Sequence, residues 1–258
     1  MPNNWTKEEE IVVFDLYCKI PFQKSSKNHP DVIRIANIIG RSPSAVNMKI
    51  GNFGSFDETL KKQGIVGLAN ASKLDKEIWD EFNEHWDELS LLSEQIISQM
   101  SGRTIQYTDT LSHASDTSFD IPLGKERTVT IKQRVNQTFF RKAVLASYNS
   151  TCCVTGLSMA DLMIASHIKP WRVCTETERT NPRNGLCLNA LHDKAFDCGL
   201  MTITPDGKIH ISKKLKSIQN DALYEYFVCY DNKGIRFPEK FMPDKTFLEY
   251  HNDMIFEK

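Results

Sequence analysis

Two short apolar runs separated by a polar loop, with a helical pattern directly after the second run, constrain the fold of this chain more than any other feature. The runs lie in Leu162–Trp171 and Asn181–Leu188, and the helical pattern covers Asn189–Asp197. Apolar runs of this length bounded by Pro, Asn and Gly are typical of strands. The segment therefore predicts strand, loop, strand and helix, with His167 at a strand end and His192 on the helix.

The N-terminal residues predict a helical unit with three short helices. Thr6–Glu9 has the form of a capping box, which begins a helix. Gly40 tolerates the positive φ of a helix end, and Ser42-Pro43 is typical of a helix start. The last two helices, joined by a tight turn, predict a helix-turn-helix arrangement within residues 1–57.

This unit also resembles Myb-like DNA-binding repeats through Trp5–Glu10 and Ile38–Ser42. If the third helix enters a DNA groove, Asn47 and Lys49 face the bases and Arg41 contacts a phosphate. The alternative is a small helical packing module, because motif matches of this kind are loose.

Residues 58–124 are expected to form a helical connector and a linker. Asp75–Glu94 predicts one amphipathic helix with an acidic outer face, and Gly102–Gly124 is rich in Ser, Thr and Asp without apolar periodicity. The charge then reverses in Lys125–Lys142, which predicts a phosphate-tracking patch. Its candidate DNA contacts are Arg134, Arg141 and Lys142.

The whole-chain charge is uninformative about partners. A formal net charge of −1 and a sequence pI of about 6.7 mean that any nucleic-acid affinity must come from local basic patches. No apolar run is long enough for a membrane span, and the first residues lack a basic-then-apolar signal, so a cytoplasmic location without membrane association is expected. Seven cysteines without regular spacing predict free thiols and no structural zinc.

The strand-loop-strand-helix segment resembles the HNH nuclease family. The closest resemblance is to a branch common in bacterial restriction and defence proteins, through Ser166–Trp171 and the pattern Asn-Gly-Leu-x-Leu-x-x-x-His-x-x-x-Phe-Asp in residues 184–197. The resemblance implies an α+β fold in which residues 125–258 form a ββα-metal nuclease domain with a C-terminal extension. Its three matching positions are His167, Asn184 and His192.

The resemblance also implies roles for these residues. His167, neutral near physiological pH, would take a proton from water as general base. A divalent ion held by His192 would act as Lewis acid, and Asn184 would pin the loop and orient the His167 ring. This interpretation requires the two imidazoles to face one cleft.

One position departs from the family pattern. Many HNH enzymes carry Asp or His directly before the catalytic His, whereas this chain has Ser166, a poor ligand. Water and substrate phosphate would suit a hard ion such as Mg²⁺, with Mn²⁺ or another divalent ion as alternatives. Asp161, Asp193 or Asp197 are further candidate ligands.

The sequence thus predicts a metal-dependent HNH endonuclease that hydrolyses DNA in bacterial restriction or anti-phage defence. Its substrate would be double-stranded DNA, contacted near the site by Lys169, Arg172 and Arg183. A homodimer is expected because one such site cuts one strand. The alternative is a catalytically silent DNA-binding regulator that uses the N-terminal helices, and Ser166 favours it.

Overall fold

The protein combines helices with two small sheets, as a computed structural model that describes residues 4–102 and 125–258 shows; side chains are described from residue 131 in the second range. The predicted α+β class is confirmed. From residue 103 onward, the linker predicted for Gly102–Gly124 lies outside the described residues. Within the described ranges, no helix has both the length and the apolar character to cross a bilayer.

The three predicted N-terminal helices are present: α1 (Lys7–Lys19), α2 (Pro30–Ile39) and α3 (Pro43–Gly54). The Thr6 hydroxyl accepts from the Glu9 backbone N–H while the Glu9 carboxylate accepts from the Thr6 N–H, so the predicted capping box is confirmed. Gly40 ends α2 in the left-handed conformation, with φ 69°. Local capping chemistry therefore explains where these helices begin and end.

Residues 58–102 are not a separate connector in the structure. They form α4 (Glu58–Lys62), α5 (Lys73–Phe82) and α6 (Trp86–Ser101). Apolar residues of α5 and α6 lie in the same hydrophobic cluster as those of α1 to α3, which we call the N-terminal core. The core thus continues across the predicted boundary at residue 57.

The single amphipathic helix predicted for Asp75–Glu94 is wrong. The chain leaves the helical conformation between α5 and α6, where Glu84 has φ 82°. A positive φ interrupts the hydrogen-bond ladder of a helix, and a continuous apolar period does not reveal it. The acidic face is also only partly exposed, because Asp75 and Asp87 are buried.

Helix α7 (Lys125–Ser147) contacts two hydrophobic clusters. Phe139 and Ala143 belong to the N-terminal core, whereas Phe140 and Val144 belong to a second cluster under the C-terminal strands, which we call the C-terminal core. Neighbouring helical residues point about 100° apart, so one helix can serve both sides.

The remaining elements pack around the C-terminal core. Both sheets are antiparallel strand pairs, β1 with β2 and β3 with β4. In chain order the elements are β1 (Met163–His167), α8 (Glu176–Thr180), β2 (Gly185–Asn189), α9 (Ala190–Asp197), β3 (Met201–Ile203), β4 (Ile209–Ile211), α10 (Lys213–Lys216), α11 (Asp221–Tyr226) and α12 (Lys245–Met254). The predicted C-terminal extension contains α12.

The segment before α12 ties the two cores together. Lys240 is completely buried, and its ammonium donates to the backbone carbonyls of Tyr17 and Ile20 at the end of α1. These carbonyls have no partner within the helix, so a buried cation satisfies them. The Phe241 ring packs edge-on against Trp86, with 5.1 Å between centroids. The C-terminal extension is thus part of the N-terminal core.

Candidate active site

The predicted order of strand, loop, strand and helix is confirmed between Met163 and Asp197. Strands β1 and β2 pair so that His167 lies opposite Gly185. Helix α9 follows β2 directly, because the Asn189 side chain accepts from the His192 backbone N–H and caps the helix. A ββα unit therefore presents His167 at the end of its first strand.

The His167 ring has a defined tautomer. Its Nε2 lies 3.0 Å from the backbone carbonyl oxygen of Arg179. A carbonyl oxygen only accepts, so Nε2 carries the hydrogen and Nδ1 keeps its lone pair. Nδ1 makes no hydrogen bond to any residue that the structure describes. Burial lowers the pKa of His167 to about 4, and the Arg179 charge acts in the same direction. The imidazole is thus a neutral base at physiological pH.

Aromatic rings fix the orientation of the His167 imidazole. The Phe140 ring stacks on it, with 3.7 Å between centroids and 10° between planes, and Trp171 meets it edge-on at 5.4 Å. Gly185 permits this close packing: a Cβ there would lie 2.3 Å from Val144 Cγ2 and 3.1 Å from Phe140 Cζ. The glycine therefore serves the approach of α7 to the strands, beyond the turn that Asn-Gly indicates.

Asn184 pins the loop between β1 and β2, as the resemblance implies. It is completely buried. Its Oδ1 accepts from the Lys169 backbone N–H at 2.8 Å, and its Nδ2 donates to the Glu178 carbonyl at 3.2 Å. Asn184 makes no hydrogen bond to the His167 ring; it holds the loop that ends at Arg179, whose carbonyl orients that ring. Its effect on His167 is therefore indirect.

The His192 ring is turned towards α11 and contacts Phe227 and Tyr230, and its predicted role as metal ligand stays a prediction. Its ring is buried, with Nε2 2.8 Å from the Tyr226 carbonyl oxygen and Nδ1 3.0 Å from Asn189 Oδ1. A neutral ring has one N–H, which Nε2 donates to the Tyr226 carbonyl, so Nδ1 keeps its lone pair beside Asn189 Oδ1. Burial lowers the pKa of His192, which keeps the ring neutral. This histidine braces α9 against the segment around Tyr226.

Asp193, the helix residue after His192, lies on the face of α9 that is turned towards β1. The Ser166 side chain is buried, and its Oγ makes no hydrogen bond of normal geometry within the described residues. Burial raises the pKa of the Asp193 carboxyl, and the nearby Ser166 hydroxyl offsets part of this rise. The pKa of Asp197 is raised to about 6, mainly because protein atoms surround its carboxyl group and also because Asp193 repels it. The Ser166 hydroxyl and two mutually repelling carboxylates thus meet between β1 and α9.

These oxygen atoms fit a hard divalent cation. No group of three or more His, Cys, Asp or Glu side chains suited to a metal occurs in the described parts of the chain. Mg²⁺ is commonly bound through one or two carboxylates together with water and substrate phosphate. Asp193 and Asp197, one helical turn apart, offer such a pair, whereas Asp161 is exposed in the turn before β1.

The basic residues around the site differ in whether a carboxylate of the protein neutralises their charge. Lys169 Nζ is 2.8 Å from both carboxylate oxygens of Glu178, and Arg183 is 3.1 Å from Glu84. Arg172 is exposed and forms no salt bridge with a described residue. Of the three predicted DNA contacts in this segment, two thus have their charge neutralised within the protein.

The basic patch on α7 is also partly engaged. Arg141 donates to the Met163 carbonyl oxygen at 3.2 Å and so braces β1, and Arg134 has a partner within the protein. Lys142 is exposed. The predicted phosphate-tracking patch thus has one solvent-exposed residue among its three candidate contacts.

The N-terminal candidates are mostly enclosed. Lys49 is buried, with its Nζ 2.5 Å from Glu10 Oε1 and 2.7 Å from Asp75 Oδ1, which contradicts its predicted place in a DNA groove. The Arg41 guanidinium is 2.7 Å from Glu9 Oε2 and is already partnered. Asn47 is half-buried beside a surface cavity on α3. The sequence pattern did not reveal that internal carboxylates hold both cations.

Sequence reasoning missed Arg179. The residue lies in α8, whose start is fixed by a capping box between Thr175 and Glu178. The Thr-x-x-Glu pattern was a signal for this short helix. No sequence pattern indicates that the Arg179 carbonyl receives the His167 hydrogen, because that contact depends on the folded path of the loop.

A comparison with known families agrees with the geometry. Residues 152–204, about a fifth of the chain, match the family model described as HNH endonuclease. The resemblance to Myb-like repeats is not confirmed, since this match does not reach the N-terminal helices. No curated protein matches the chain. A domain of this family indicates nuclease chemistry on nucleic acid.

Proposed function

Residues 152–204 form an HNH endonuclease domain, and from that premise we propose that the protein is a metal-dependent endonuclease that hydrolyses DNA phosphodiester bonds. The observation that carries this proposal is the His167 imidazole. Its Nε2 hydrogen is fixed on the Arg179 carbonyl, and its Nδ1 is left with a lone pair. A neutral, oriented imidazole at a strand end is equipped to take a proton from water.

The reaction uses the residues as follows. His167 Nδ1 accepts a proton as water attacks the phosphorus, and the bond from phosphorus to the 3′ oxygen breaks. Asp193 and Asp197, with the Ser166 hydroxyl beside them, are the residues that would hold a divalent cation. When bound, the cation supplies Lewis-acid stabilisation of charge on the phosphoryl and leaving oxygens. Mg²⁺ suits this oxygen set best, and Mn²⁺ is a close substitute.

The finer parts of the proposal rest on the resemblance. Double-stranded DNA is the proposed substrate, and bacterial restriction or anti-phage defence in the cytoplasm is the proposed setting. A homodimer is proposed because one ββα site cuts one strand. The exposed Arg172, which follows β1 in the chain, supports DNA contact near the site.

Plasmid cleavage tests the proposed function. The purified protein should nick or linearise supercoiled DNA with Mg²⁺ or Mn²⁺ and should be inactive in EDTA. Parallel incubations with single-stranded DNA and RNA define the substrate. His85→Ala, which changes an exposed histidine outside the site, should cleave as the wild type does. Absence of cleavage of every substrate with either metal would reject the proposal.

The second candidate, a silent DNA-binding regulator, is favoured by Ser166 at a position where a ligand is common. A gel shift without cleavage in the same assay would support it. The enclosed Lys49 and the partnered Arg41 weaken it, because they are the cations with which the N-terminal helices would bind DNA.

A further inference from the structure

Arg179 contacts the catalytic histidine from the loop between β1 and β2. Its backbone carbonyl receives the His167 Nε2 hydrogen, while its side-chain Nε donates to the Trp171 carbonyl oxygen at 3.2 Å. The guanidinium carbon lies 5.1 Å from the centre of the Trp171 ring, and that ring meets His167 edge-on. One hydrogen bond and the Trp171 ring thus hold the guanidinium, while the backbone carbonyl of the same residue holds the imidazole.

Lys169 and Arg183 each have a carboxylate partner, whereas Arg179 forms no salt bridge with the side chains described in residues 4–102 and 131–258. The Glu176 carboxylate feels the Arg179 charge, but it is paired with Lys132. Its two terminal nitrogens make no hydrogen bond there either. The charge also lies close enough to His167 to disfavour the protonated ring. The guanidinium is half-buried, its terminal nitrogens are open to solvent, and both can donate to an anionic ligand.

We propose that Arg179 is a catalytic residue that binds the non-bridging oxygens of the scissile phosphate; this inference rests on the proposed function. A guanidinium presents two parallel N–H groups that match two phosphate oxygens. As water adds to phosphorus, the oxygen–phosphorus bond forms, the water proton passes to His167 Nδ1, and negative charge grows on those oxygens. The bond to the 3′ oxygen then breaks, and that oxygen takes a proton from solvent. Arg179 stabilises the charge at the stage where it is greatest.

Substitutions at position 179 separate the effect of the backbone carbonyl from the effect of the guanidinium. Every variant at position 179 keeps the backbone carbonyl that orients His167. Arg179→Met also keeps an unbranched stem against Trp171 but removes the charge, and Arg179→Lys keeps the charge but loses the planar fork. Arg236→Ala, which removes an exposed guanidinium from the same half of the chain, is the matched control.

The test compares single-turnover plasmid cleavage with DNA affinity for these variants. Arg179→Met should slow cleavage by about 10²–10³-fold, with DNA affinity within roughly threefold of wild type. Arg179→Lys should recover only a small part of the rate, and added guanidinium ion should partly rescue Arg179→Ala. Arg236→Ala should be unchanged. A wild-type rate in Arg179→Met, or a loss equal to its loss of DNA affinity, would overturn the assignment.

A second measurement needs no cleavage. Dimethyl phosphate, a phosphodiester analogue, should shift the Trp171 indole resonance of the wild type in an NMR titration, and it should not shift that of Arg179→Met. If the protein cleaves nothing but this shift occurs, the proposed nuclease function fails and the phosphate site stands. If the protein cleaves DNA and the shift is absent, the function stands and the assignment of Arg179 fails.

Discussion

Lys49 in the N-terminal core and Arg179 beside the C-terminal core are both cations next to a tryptophan, at 5.0 Å and 5.1 Å from the ring centres. Their surroundings differ in one respect. Two buried carboxylates contact Lys49, whereas no carboxylate among the described residues contacts Arg179. A cation neutralised from within stabilises a fold, and one that lacks an internal anion is available for a ligand. We therefore expect Lys49 to contribute to stability and Arg179 to contribute to the chemistry.

Removing both acidic groups of α9 should have the largest effect on activity. Asp193→Asn with Asp197→Asn should lower cleavage by about 10³-fold, because Lewis-acid stabilisation is worth several kcal/mol. Mn²⁺ binding, followed by electron paramagnetic resonance, should weaken in parallel. Asp253→Asn on the exposed face of α12 is the control and should change neither. Unaltered Mn²⁺ binding in the double variant would place the cation elsewhere.

Removing Lys49 should affect stability and leave the chemistry intact. Lys49→Met leaves Glu10 and Asp75 buried without their cation, which should lower the free energy of unfolding by about 3–5 kcal/mol in urea denaturation. Cleavage per folded molecule and DNA affinity should stay at wild-type values. If Lys49→Met lowered DNA affinity but not stability, Lys49 would act in DNA binding and would not differ from Arg179 in the way proposed here.

Metal affinity should depend on pH through Asp197. Crowding of this carboxyl and repulsion from Asp193 raise its pKa to about 6, so below that pH a proton competes with the cation. Affinity for Mn²⁺ should fall by about tenfold per pH unit below 6 and level off above it. Calorimetry in buffers of different ionisation enthalpy measures the released proton. Asp197→Asn should abolish this dependence, and a pH-independent affinity in the wild type would refute it.

The smallest effect is expected at Arg41. Its ion pair with Glu9 is near the surface, with side-chain exposures of 16% and 11%, so Arg41→Ala should cost roughly 1 kcal/mol of stability or less. DNA affinity should hardly change, because the guanidinium is already engaged. If Arg41→Ala lost more DNA affinity than Arg172→Ala, the N-terminal helices would be the main DNA-binding surface.

Local chemistry made much of the fold predictable. The capping box at Thr6, the glycine end of α2 and the apolar run before His167 each depend on neighbouring residues, and the structure follows them. The break at Glu84 and the path of the segment around Lys240 depend on contacts between distant parts of the chain. No periodicity within a short window carries that information.

The site was predictable in the same partial way. The order of elements placed His167 and Asn184 correctly, because strand ends and loops follow from the sequence pattern. His192 and Asp193 are neighbours on α9, and one residue of helical rotation decides which faces the core and which faces β1. The Tyr226 carbonyl that receives His192 comes from α11, so the sequence around position 192 did not indicate it.

The most direct test of the account is the protonation state of His167. Nitrogen-15 NMR of histidine-labelled protein, assigned by comparison with His167→Ala, should show at pH 6 a neutral ring with hydrogen on Nε2 and none on Nδ1. A histidine with an ordinary pKa of about 6.5 would be mostly charged at that pH. A charged ring, or a neutral ring with its hydrogen on Nδ1, would contradict the assignment of His167 as a general base oriented by the Arg179 carbonyl.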